Sequence, residues 1–190
     1  MTYAEIVKMA LAHLEFGTDE EEYGTFTERF MIYVNEAVRI IATALKMDKV
    51  EEVELTDNCF NVSDLTSDTV TKILEVFKGR RGYAFVRGDS LGSFRVLGCP
   101  REERVNVRYR YIPKFETDGN AVPQIPEIFH PILYLHVVHC FHNTRASSSD
   151  YDRTKWEREF NSERMRLMKQ AYGALDTYVW KNRPWETGEM

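Results

Sequence analysis

The segment "YLHVVHCFHNT" (Tyr134–Thr144) places His136, His139 and His142, three of the chain's five histidines, and Cys140, one of its three cysteines, within seven residues. Imidazole and thiolate are the donors that zinc takes, and a cysteine beside a histidine is also the pairing of a nucleophilic thiol. His136 and Cys140 stand four residues apart, the spacing at which helical side chains project in parallel toward one ion. His136 and His139 stand three apart, a less favourable spacing. A metal-dependent enzyme using His136, His139 and Cys140 is therefore one reading. Against it, no third ligand motif is identifiable elsewhere, and a cysteine inside a helix lacks the helix-start setting that lowers a thiol pKa. At 100° per residue Leu133, Tyr134, Val137, Val138 and Phe141 gather on one side, with His136, His139 and Asn143 opposite. That is the pattern of a packed helix whose imidazoles hydrogen-bond neighbouring elements, and it is the reading adopted. No catalytic, metal or cofactor site is assigned.

Two other clusters carry charge or aromatic surface. "KGRRG" sets Lys78, Arg80 and Arg81 on a glycine-flanked turn, a solvated hairpin tip or a contact loop. Near the C-terminus Trp180, Arg183 and Trp185 combine the residue types that dominate interface hot spots, in a stretch without helical period. Arg104, Arg108 and Arg110 make a basic stripe on one strand face. No Ser-His-Asp elbow, HExxH, GxGxxG or paired catalytic carboxylate pattern is present.

The elements that must position these residues are legible from period and punctuation. Of 190 residues 43% are hydrophobic, enough to bury a sizeable core, and a net charge of −5 argues against tight nucleic-acid binding. Three widely spaced cysteines fit a reducing compartment, and neither a signal peptide nor a membrane span is expected. Thr2-x-x-Glu5 reads as a capping box opening a first helix, and Thr25-x-x-Glu28 as the start of a longer one to about Met47. Between Lys49 and Ile112, "EEVEL", "TKILEVFKG", "GYAFVRG", "SFRVL" and "RVNVRYRYI" read as strands. The last is clearest, with Val105, Val107, Tyr109 and Tyr111 on one face. A proline-punctuated connection leads to the histidine helix, with Pro131 at its first position, and a long charged helix runs from about Asp152 to Asp176. The fold class expected is α+β, a mainly α-helical bundle of about four helices with a small inserted antiparallel β region. Residues 1–48 and 113–176 form the helical body, 49–112 the insertion and 177–190 a C-terminal docking tail.

The order of parts carries a resemblance. A short amphipathic helix precedes a long one bearing "YVNEAVRIIA"; an inserted β region exits through "YRYIPKF" and the turn "TDGNAVPQIP". A "HPILYLHVV" helix and a terminal helix with "WEREF" follow. Over about residues 2–172 this resembles the head-tail adaptor (connector) proteins of tailed bacteriophages, of the short-tailed type. The resemblance implies a structural virion protein without catalysis or cofactor. It implies a ring, usually of twelve copies, beneath the portal protein at the head-tail junction, assembled in the host cytoplasm. Such a ring extends the DNA channel, lets genomic DNA pass without specific contacts, and offers tail or nozzle proteins an attachment surface. By position, Trp180, Arg183 and Trp185 correspond to the segment that docks on the portal. Lys78, Arg80 and Arg81 correspond to a loop facing the tail side or a neighbouring subunit. Another neck or tail-completion protein is the nearest alternative within the virion.

Overall fold

The computed structural model describes residues 1–14, 20–65, 69–99, 104–145 and 148–181. The chain divides into two compact units, residues 1–41 with 116–190 and residues 42–115. Among the described residues no helix is long and apolar enough to cross a membrane.

The first unit is helical. Helix α1 (Tyr3–His13) opens with the capping box: Glu5 N–H donates to Thr2 Oγ1 at 3.2 Å, and Thr2 N–H donates to Glu5 Oε2 at 2.8 Å. Two further helix-start amides, of Tyr3 and Ala4, donate to the carbonyls of Ala121 and Gly119 at 3.0 and 2.8 Å. The orphan donors of this terminus thus tie α1 to the connection preceding the histidine helix. Its buried face is Tyr3, Ile6, Val7, Ala10 and Leu11, as the period predicts. Helix α2 (Glu20–Leu45) starts five residues before the expected Thr25. A 3₁₀ helix (Glu127–Ile132) leads into α3 (Leu133–Thr144). Pro131 lies inside that 3₁₀ helix, and His130 is buried with Nε2 3.0 Å from the Ile125 carbonyl. Helix α4 (Asp150–Lys181) has Ser149 at its start, whose Oγ accepts the Asp152 N–H at 3.1 Å.

The second unit is a six-stranded sheet in the order β1-β6-β3-β4-β5-β2, with every neighbouring pair antiparallel. The strands are β1 (Asp48–Glu54), β2 (Cys59–Asn61), β3 (Thr69–Lys78), β4 (Arg81–Arg87), β5 (Ser93–Leu97) and β6 (Arg104–Ile112). Strand β6 is interior, pairing Val107 with Glu51 on one side and Val76 on the other. Val105, Val107 and Tyr109 are completely buried, and Leu55, Phe60, Val76 and Val96 join them in one apolar cluster.

This corrects the expected fold class. The β region is neither small nor an appendage to a mainly helical bundle; among the described residues four α-helices accompany a six-stranded sheet with its own core. The sequence understates the sheet because its outward face is charged and its short strand β2 has no period to read. Register shifts between Val70 and Lys72 and between Ile73 and Glu75 also break the alternation along β3.

Candidate functional site

Helix α3 turns its apolar side inward, burying Leu133, Leu135, Val137, Val138 and Phe141. The imidazoles are distributed among neighbouring partners. His139 Nδ1 lies 3.2 Å from the Arg153 carbonyl and its Nε2 2.9 Å from Asn143 Nδ2. The carbonyl can only accept and the amide nitrogen only donate, so His139 carries its proton on Nδ1. His142 Nδ1 lies 3.0 Å from Ser148 Oγ. His136 faces a different set: its Nε2 is 3.3 Å from Cys140 Sγ and 3.7 Å from Glu36 Oε2, while Cys140 Sγ is 3.9 Å from the same carboxylate oxygen. The structure therefore joins His136 and Cys140 to Glu36 of α2, and leaves His139 bonded elsewhere.

Glu36 owes its place to its neighbour. Asn35 is buried, and its amide nitrogen donates to the carbonyls of Met31 and Glu116 at 2.8 and 2.9 Å. Its Oδ1 accepts the Glu116 N–H at 2.8 Å and the Tyr3 hydroxyl at 3.4 Å. One side chain thereby pins α1, α2 and the segment after β6 together. All four polar atoms it meets need such a partner once buried.

Burial sets the protonation of the triad. The His136 imidazole is pushed down to about 4, first by burial and then by His139 and Arg164. The Cys140 thiol is pushed up to about 12, first by burial and then by the Glu36 charge and hydrogen bond. At neutral pH both groups are uncharged, so the contact of His136 with Glu36 is not a salt bridge. The pair is also the reverse of a thiolate–imidazolium nucleophile, which needs a low thiol pKa beside a protonated ring.

The other sequence candidates lie on different elements. Lys78, Arg80 and Arg81 come together at the β3–β4 hairpin, where Lys78 pairs with Arg81 across a two-residue turn. All three are exposed. Gly79 takes φ +57°, the first central position of a II′ turn, which asks for glycine. The Arg81 guanidinium sits 5.2 Å over the Tyr83 ring. The β6 stripe is paired within the sheet: Arg104 with Glu54 at 3.6 Å and Arg110 with Asp48 at 3.3 Å. Trp180 stands on the backbone of α4, while Arg183 and Trp185 lie outside the described residues.

The family model described as SU10 adaptor protein matches residues 1–183 of the chain. The chain belongs to the SU10 adaptor protein family. It is a bacteriophage head-tail adaptor, a structural component of a virion. No curated protein matches it. Among solved structures, the adaptor is similar to a chain of the "Neck of empty GTA particle computed with C6 symmetry", at 13% identity and a TM-score of 0.29. That likeness covers 79% of this chain and 87% of the other. Sequence reasoning missed Glu36 as a partner of the histidine helix, although the polar Asn35-Glu36 step beside an apolar stripe was a visible signal.

Proposed function

We propose that the adaptor assembles as a ring of twelve copies beneath the portal protein at the head-tail junction, extends the DNA channel and gives tail or nozzle proteins their attachment surface. The family match over residues 1–183 carries this reading. The role is one of surface, not catalysis, and needs no cofactor; assembly takes place in the host cytoplasm. Closing a ring requires two unlike patches that meet head to tail around the rotation. Strand β4 offers two such ends about 20 Å apart by strand rise. Lys78, Arg80 and Arg81 crown one end, and fully exposed Leu91 follows the other. The basic tip faces the tail side or a neighbouring subunit. The segment 177–190, with Trp180, Arg183 and Trp185, docks on the portal. A net charge of −5 suits a channel through which genomic DNA slides without being held.

Light scattering coupled to gel filtration, with and without portal, tests the reading. The adaptor is expected as a monomer or weak oligomer alone and in a large complex when portal is added. Truncation before Thr177 should abolish portal docking while leaving the rest folded. A full-length chain that ignores portal at assembly concentrations would count against the ring, and an unaffected truncation would remove the docking tail.

A further inference from the structure

The Glu36, His136 and Cys140 donors have a geometry that adaptor function does not require. We propose that they form a zinc site of three protein ligands that cross-links α2 to α3 within each subunit. A tetrahedral Zn²⁺ with bonds of about 2.3 Å to sulfur, 2.0–2.1 Å to nitrogen and 2.0–2.2 Å to oxygen sets its donors about 3.4–3.6 Å apart. The three donor separations are 3.3, 3.7 and 3.9 Å. Each lies within a few tenths of an ångström of a tetrahedral edge, so closing the site needs rotamer adjustment and no movement of either helix. His136 and Cys140 come from one face of α3 at four-residue spacing, and Glu36 arrives from 100 residues upstream on a helix fixed by the buried Asn35.

The donor set selects the ion. A thiolate with an imidazole and one carboxylate suits Zn²⁺ and its surrogate Co²⁺, whereas Mg²⁺ and Ca²⁺ require oxygen donors throughout. Three protein ligands leave a fourth position. The Glu36 side chain is 52% exposed, so that position opens toward solvent and takes a water molecule. Binding releases the Cys140 proton to solvent as the Zn–S bond forms, and no oxidation change is involved. The His136 ring also packs against Phe160, 5.0 Å between centroids, which limits its freedom to turn away.

The test uses the full chain, stripped with chelator and titrated with Zn²⁺ alone and with Co²⁺ alone. One zinc per chain is expected by elemental analysis. Co²⁺ should give a thiolate-to-cobalt charge-transfer band together with the intense visible bands of tetrahedral cobalt. Cys140→Ser should abolish the charge-transfer band and weaken zinc binding at least about a hundredfold, the upper end of what outer-shell changes alone produce. Glu36→Gln, at a half-exposed position, should weaken it tenfold or more. No saturable uptake by the wild-type chain would overturn the site. So would uptake unchanged in both variants, or a charge-transfer band that survives Cys140→Ser. Portal is absent throughout, so the outcome is separate from that of the ring.

Discussion

Replacing Asn35 by aspartate exchanges one nitrogen for oxygen at a buried position that makes four hydrogen bonds. The new oxygen would face the Met31 and Glu116 carbonyls at the 2.8 and 2.9 Å now spanned by N–H···O bonds. The new oxygen meets two acceptors and no donor, while the retained oxygen keeps the Glu116 N–H and the Tyr3 hydroxyl, so the fold favours a proton on the new oxygen. The folded pKa is then raised above the unfolded value of about 3.9, and the cost of folding grows by about 1.4 kcal/mol for each pH unit above that. At pH 7 this reaches about 4 kcal/mol, against a total stability of roughly 5–15 kcal/mol for a domain. At pH 5 it falls to about 1.5 kcal/mol. The sign is distinctive, because the penalty recedes on acidification, where native carboxylates ordinarily lose stability. Asn35→Ala removes the same hydrogen bonds without adding charge and should cost about 2–4 kcal/mol at both pH values. Urea unfolding followed by circular dichroism at pH 5 and pH 7 measures both variants against wild type. A gap for Asn35→Asp that stays flat across this range, or lies below about 1 kcal/mol at pH 7, would refute the reasoning.

Burial pushes the Tyr3 hydroxyl up to about 12, with Glu116 adding to it; this contribution to stability is whole below about pH 10 and is lost as pH rises toward 12. The loss is on the order of 2–3 kcal/mol, and Tyr3→Phe should remove it when urea midpoints at about pH 9 and pH 11 are compared with wild type. Phe60 is 1% exposed and stacks on Phe94 at 5.5 Å, so Phe60→Ala should destabilise the sheet unit by about 3–5 kcal/mol in urea titration. Phe115→Ala, at a half-exposed position, should shift stability by no more than about 0.5 kcal/mol. Charge reversal of Lys78, Arg80 and Arg81 to glutamate should leave the circular dichroism spectrum unchanged and weaken ring association about tenfold or more in sedimentation with portal present. Unaltered association would take the hairpin out of the interface.

What could be read from the sequence follows the range of the physics. Thr2 and Glu5 act within one helical turn, and their capping box is visible in four letters. The apolar face of α3 is likewise a local period, and so is β6, whose alternation is clean because it is interior and pairs on both edges. The β2 strand has three residues and depends on Asp57 and Asn58, both at positive φ, in a turn that joins Thr56 to Cys59. That Asp-Asn step is a hairpin signal, and the charged stretch around it masks the signal. The size of the sheet is hidden for the same reason: solvated strand faces lower the apolar content of a segment whose inner face is fully buried. Glu36 is the instructive miss. Its own helix explains it as a surface carboxylate, and only the packing of α2 on α3 brings it to His136 and Cys140.

Electron-microscopic averaging of portal mixed with the full-length chain tests the adaptor assignment most directly. The account expects an added layer of density, coaxial with the portal and continuous around its channel. Portal particles left bare in an excess of the chain, with the chain still a 22.3 kDa monomer, would contradict it.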